Sequence, residues 1–173
     1  RGPMFGRLYV AAVILPKDET SGFEHSKMRD SKTIKSRKVM TTVANYIKAN
    51  AIAYHIHYIE ADVIDNVNIA QANMNAMHIC ICEILKKVPN HDITSTLIIV
   101  DGNYFKPYTL FDSEICEFIC YRSETVIKGD GKYSSIAAAS ILAKDARDSY
   151  IESLCETYPQ LHERYGMLTN FGY

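Results

Sequence analysis

Four consecutive aliphatic residues, Leu97-Ile98-Ile99-Val100, run directly into Asp101-Gly102. A short apolar run bounded by a turn signal reads as a buried strand. It places a carboxylate at the carboxyl end of that strand, where open α/β sheets bind ligands. The rest of the chain fits such a sheet. Tyr9 to Leu15 is a second apolar run, closed by Pro16. From Ala51 to Glu60, Ile52, Tyr54, Ile56 and Tyr58 alternate with His55 and His57, the period of a strand. A strand near Glu124 to Lys128 ends at Gly129-Asp130. Between these lie helical patterns. Asp30-Ser31 is read as the cap of a helix reaching about Asn50, with Met40, Val43 and Ile47 on one face. Asn66 to Val88 repeats Ala70, Met74, Met77, Ile81, Ile84 and Val88 at helical spacing and stops at Pro89. Ser134 to Thr157 predicts a long helix whose Ala137, Ala138, Ala139 and Ser140 let it lie close on a sheet. The alternation predicts an α/β fold with a central sheet, and with no repeat or linker, residues 1–173 are expected to form one domain.

Charge excludes one class of function. Nineteen Lys and Arg against 20 Asp and Glu leave −1, so bulk basicity cannot hold nucleic acid or membrane, although a local patch can. No apolar run reaches the ~20 residues of a membrane helix, and no signal peptide opens the chain. The five cysteines, Cys80, Cys82, Cys116, Cys120 and Cys155, are odd in number. With no Asn-x-Ser/Thr sequon, they point to an intracellular, cytoplasmic setting rather than a disulfide framework. Neither cysteine pair has CxxC spacing, so both are read as packed side chains rather than zinc ligands. His55 and His57 are read as a half-exposed sheet face. The chain begins at Arg1-Gly2-Pro3 rather than Met, which suggests a fragment, and a monomer is expected.

Asp101 and Asp130 are the candidate catalytic pair. Two strand-end carboxylates brought together repel each other and call for a cation, and hard oxygen donors favour Mg²⁺ or Mn²⁺. Asp-Gly is equally a turn sequence, and the residues alone leave both readings open. A block of cations, Lys27, Arg29, Lys32, Lys35, Arg37 and Lys38, lies within twelve residues. Four fall in the first half of the expected helix, where the dipole disfavours them. That conflict points to an anionic partner such as a phosphate backbone.

Together these segments resemble the ribonuclease HII family along essentially the whole chain. Arg1-Gly2-Pro3 and the strand after it resemble the segment following the family's first carboxylate pair. Asp30-Ser31-Lys32 resembles its DSK segment, and Asn68 to Met77 its NIxxAxxxAM helix. Ile99-Val-Asp-Gly-Asn103 and Lys128-Gly-Asp130, the latter followed by Ser135 to Asp148, resemble the third and fourth carboxylates with their surroundings. Tyr158-Pro159 and Gly172-Tyr173 resemble the C-terminal signature.

The resemblance implies a ribonuclease H-like mixed central sheet flanked by helices. It implies an endonuclease of replication and repair that cuts RNA/DNA hybrids and single ribonucleotides in duplex DNA with two divalent ions, Mg²⁺ or Mn²⁺. It implies that Asp101 and Asp130 hold metal, that Arg1 and Gly2 contact the ribonucleotide junction, and that Tyr173 stacks beside it. Lys32, Lys144 and Asn103 are further substrate-contact candidates. The family's Asp-Glu pair would precede Arg1, so the 173-residue chain alone is expected to be nearly inactive. The competing reading is a non-catalytic nucleic-acid-binding relative lacking that pair. Two departures stand out: Asp145 replaces a usually apolar residue and is expected at the surface, and the long loop from Tyr104 to Cys120 is expected to hold an added strand or helix turn.

Overall fold

The computed structural model describes residues 6–17, 22–113 and 116–170. Its strands are β1 (Leu8–Ile14), β2 (Ala53–Ile59), β3 (Leu97–Asp101), β4 (Thr109–Asp112), β5 (Glu117–Cys120) and β6 (Arg122–Val126). Its helices are α1 (Arg37–Asn50), α2 (Ala61–Val67), α3 (Ile69–Lys87), α4 (Ser134–Thr157), α5 (Gln160–Tyr165) and α6 (Met167–Asn170). Among the described residues the strands form three two-stranded ladders rather than one continuous sheet. β1 and β2 are antiparallel, from Leu8 opposite Ile59 to Ile14 opposite Ala53. β3 and β6 are parallel, with Asp101 opposite Val126. β4 and β5 form a hairpin inside the long loop, supplying the added strand.

α4 is the central packing element. It lies on β1 and against α1, and Ala137, Ala138, Ile141 and Leu142 join Met40, Ala44 and Ile47 in the main core. The small side chains let the helices approach, as their spacing predicts. α3 covers the other part of β1, with Ala72, Ala76 and Cys80 against Leu8 and Val10.

Four sequence expectations need correction. α1 begins at Arg37, not at Asp30. The Asp30 carboxylate instead accepts the Lys32 N–H at 2.9 Å, and its carbonyl accepts the Thr33 N–H, which closes a turn. Ser36 caps the helix by accepting from Val39, while Ser31 is drawn away to Ser140 at 2.8 Å. The expected Asn66–Val88 helix is broken at Asn68, whose φ of 70° is left-handed and whose side chain caps α3 by accepting from Gln71. With ψ at 159° this lies outside the αL well, a strained conformation for a residue with a side chain. β3 is less buried than its aliphatic run suggests: only Val100 is buried, and Leu97 is 43% exposed. β6 ends at Val126, so Asp130 sits beyond the strand on a 3-10 turn, Gly129–Gly131.

The cysteines divide. Cys80 is buried, and burial pushes its thiol up to about 12, as expected of a packing residue. Cys116 and Cys120 are exposed, contrary to the packed reading, because their hairpin projects from the body.

Candidate metal and nucleic-acid site

The two candidate carboxylates come together through the parallel β3–β6 ladder. Asp101 is the last residue of β3, and the chain leaving β6 turns back beside it. The Asp101 Oδ1 accepts the Gly129 N–H at 2.9 Å. Gly102 continues the ladder by donating to the Val126 carbonyl at 3.0 Å. Gly129 is required by close approach: a Cβ there would lie 2.5 Å from Ile136 Cδ1 and 3.4 Å from Asp101 Oδ1. Its neighbour Lys128 takes a left-handed φ of 55°, a strained conformation for a residue with a side chain. Together these features hold the turn that carries Asp130 against the Asp101 carboxylate.

Lys32 reaches this pair. Its ammonium lies 3.5 Å from Asp130 Oδ2, on a side chain 78% exposed and therefore free to swing away. Asn103 is exposed in the turn after Asp101. Lys144 does not join the group. It lies ten residues into α4, 19% exposed, with its ammonium 3.3 Å from the buried Asp148. Arg1, Gly2 and Tyr173 lie outside the described residues.

The cation block divides as well. Arg37 is bound internally: it donates to Asp145 at 2.5 Å, to Glu152 at 2.8 Å and to Ser149 at 2.6 Å. Lys48 reaches the other oxygen of Asp145 at 3.2 Å. Asp145 is therefore no surface substitution. It is 4% exposed and ties α1 to α4. Burial pushes its carboxyl up, but the hydrogen bonds from Arg37 and Lys48 outweigh that and hold it below the usual range. Lys27, Arg29 and Lys35 remain at the surface, around a depression that Ser26, Thr33 and Ser36 also line. That rim of cations and hydroxyls has the chemistry of a phosphate-contact surface.

Sequence reasoning missed the His25–Ser134 contact, in which Nδ1 lies 2.9 Å from the hydroxyl at the start of α4. This pair joins the segment before the basic turn to the helix after Asp130. No local pattern signals it, since the partners are 109 residues apart.

The donor chemistry of Asp101 and Asp130 fits a hard divalent cation. Mg²⁺ is usually held by one or two carboxylates completed by waters and substrate phosphates. Among the described residues no group of three or more His, Cys, Asp or Glu gathers closely enough to form a closed cage. His55 and His57 stack with ring centroids 6.3 Å apart and belong to no such group. No described helix is long and apolar enough to cross a membrane.

A family model described as Ribonuclease HII matches residues 1–173. Ribonuclease HII of Cytophaga hutchinsonii is 40% identical over 175 residues, covering all of this chain and 73% of that protein. Ribonuclease HII of Parabacteroides distasonis is 40% identical over 173 residues, again covering the whole chain and 74% of the relative. Among solved structures, the ribonuclease HII in a PCNA complex from Archaeoglobus fulgidus aligns with a TM-score of 0.63 at 23% identity, over 91% of this chain and 72% of that one. Ribonuclease H2 from Pyrococcus horikoshii aligns with a TM-score of 0.59 over the same shares. At that identity the structural likeness speaks for the fold alone, an α/β fold of ribonuclease H type.

Proposed function

The chain belongs to the ribonuclease HII family, and from that premise we propose that it cleaves RNA joined to DNA, both in hybrids and at single ribonucleotides within duplex DNA. Family membership makes it a ribonuclease H-type endonuclease and gives no support to a non-catalytic relative. The finer reading is supported by one observation above the rest: the turn carrying Asp130 is tied to the strand-end Asp101 by the Gly129 N–H at 2.9 Å.

In this reading Asp101 and Asp130 are two of the four carboxylates that hold two divalent ions, Mg²⁺ or Mn²⁺. Bound there, the ions would lower the pKa of an attacking water and steady the leaving oxygen. The Gly129 N–H keeps Asp101 in one orientation, so the ligand geometry exists before metal arrives. Lys32 offsets the charge on Asp130 until a cation replaces it, and then becomes available to a phosphate. Lys27, Arg29 and Lys35 contact the backbone further along. Arg1 and Gly2 at the ribonucleotide junction, Tyr173 beside it, and Asn103 next to Asp101 complete the proposed contacts. Lys144, engaged with Asp148, is the weakest member of the set.

The test uses the protein expressed at the full length of its reading frame, on a DNA duplex carrying one ribonucleotide and on an RNA/DNA hybrid. Cleavage is expected with Mg²⁺ or Mn²⁺ and none with chelator. Asp101→Asn should lower the rate by at least ~100-fold, the range reached even by loss of a group that supports a metal ligand. Cutting at the wild-type rate in Asp101→Asn would sink the metal assignment.

A further inference from the structure

Each candidate carboxylate is followed by the same short pattern. Asp101-Gly-Asn-Tyr104 and Asp130-Gly-Lys-Tyr133 both read Asp-Gly-x-Tyr. The two segments differ in backbone, since Asp101 ends β3 whereas Asp130 lies on the 3-10 turn after β6, but both follow paired parallel strands. A tyrosine therefore follows each carboxylate by three residues.

Both rings are exposed, Tyr104 (73%) more than Tyr133 (45%). Among the described residues neither phenol makes a hydrogen bond, and neither ring meets another aromatic ring or a cation. Tyr121 and Tyr46 behave differently. Tyr121 is buried and meets His91, and Tyr46 donates to the Gly22 carbonyl and lies beneath Lys27. Burying a tyrosine ring is a large apolar gain, and these two forgo it. Their sequence neighbours are cationic: Lys132 lies within the second pattern, Lys128 just before it and Lys106 just after the first, all exposed. Aromatic rings interleaved with cations are what a nucleic-acid strand finds favourable, through stacking on the rings and attraction of its phosphates.

We propose that Tyr104 and Tyr133 are a matched pair of substrate-stacking residues, one per carboxylate, that grip the bases or sugars flanking the phosphate brought to Asp101 and Asp130. The proposal rests on the nuclease reading and adds to it the residues that position the strand. The rings would restrict the strand's path over the site, so that one phosphate, rather than its neighbours, meets the carboxylates. The hydroxyls have no part in this.

The chain contains no tryptophan, which makes the test direct. Tyr104→Trp and Tyr133→Trp each introduce the sole indole. Either variant is titrated in chelator with an unlabelled RNA/DNA hybrid while emission is followed. Binding of a fluorescein-labelled hybrid is followed separately by anisotropy. Quenching that saturates at the same concentration as the anisotropy change is the expected result. Unchanged emission from both indoles while anisotropy reports binding overturns the stacking proposal and leaves the nuclease reading intact. Absence of binding by anisotropy overturns both. In the same assay Tyr104→Ala and Tyr133→Ala should each raise Kd by roughly fivefold or more, the loss of one stacked base. Tyr→Phe at either position should stay within about twofold of wild type, since the ring is kept. A Phe variant as weak as the Ala variant would show that the hydroxyl, not the ring, matters, and would overturn the proposal.

Discussion

Charge is handled in opposite ways at two places along α4. At its middle, Asp145 is enclosed and meets Arg37 and Lys48, and Arg37 goes on to Glu152 and Ser149. Near its start, Asp101 stands at a strand end and Asp130 on the turn beside it, where the cation at hand is Lys32, on a largely exposed arm that reaches Asp130. The first arrangement is closed: its charges are compensated by residues of the fold. The second is open: two like charges are placed together by backbone constraints, with compensation left to whatever binds. A sequence that closes its ion pairs so fully between α1 and α4 has no difficulty in doing so. The open cluster is therefore the place to look for a ligand, and the closed one for stability.

Breaking the closed cluster should have the largest effect on stability. Asp145→Ala removes the carboxylate and leaves two partly buried cations of α1 turned toward α4 without it. Loss of one partner from a buried pair costs about 3–5 kcal/mol, and because Arg37 and Lys48 keep some access to water the lower end applies. Urea unfolding should show a loss of roughly 3 kcal/mol with an unchanged m-value. A loss below about 0.5 kcal/mol, the usual range for surface changes, would mean that Asp145 is a surface residue after all.

A second aspartate on the same helix sharpens the contrast. Asp148 is 3% exposed, and its Oδ1 has no hydrogen-bond partner among the described residues. Burial raises its pKa, outweighing the attraction of Lys144. The pH dependences of the two residues therefore have opposite signs. Asp145, with a lowered pKa, stabilises the fold above the ordinary value of about 3.9, and this support disappears as pH falls through its folded value. Asp148, with a raised pKa, is a cost at neutral pH that is relieved as pH falls through its folded value toward about 3.9. At pH 7, Asp148→Asn should shift stability by no more than about 1 kcal/mol, in either direction, because Lys144 can extend toward water. Asp145→Asn should cost at least twice that. Equal costs in parallel urea titrations would erase the distinction.

The same contrast explains what could be read from the chain. The strand ending at Asp101 and the whole of α4 were legible because their signals are local: an aliphatic run, a helical period, small residues in a row. The carboxylate pair was legible as two separate strand ends, though not as one constrained group, since the Gly129–Asp101 contact joins residues 28 apart. Asp145 was misread because the partners that enclose it are 108 and 97 residues away. Nothing near it in sequence distinguishes a buried, paired aspartate from a solvated one. The start of α1 was misread for another reason. Asp30, Ser31 and Ser36 are all competent caps, and tertiary contacts chose among them by engaging Ser31 with Ser140.

Lys32 provides the smallest effect on stability and the clearest distinction between the two clusters. Its pair with Asp130 spans 3.5 Å and its arm is largely in water, so the contact adds well under 1 kcal/mol to the fold. Lys32→Ala should therefore leave urea stability within about 0.5 kcal/mol of wild type. Its effect should appear instead on nucleic acid. A lysine that neutralises one phosphate releases about one counterion, so its loss should lower the slope of log K against log salt by about one for an RNA/DNA hybrid. The loss should be similar for hybrids of different sequence, because phosphate contacts position a strand without reading it. An unchanged salt slope would assign Lys32 to Asp130 alone, and the strand-end cluster would then be closed in the same sense as the one around Asp145.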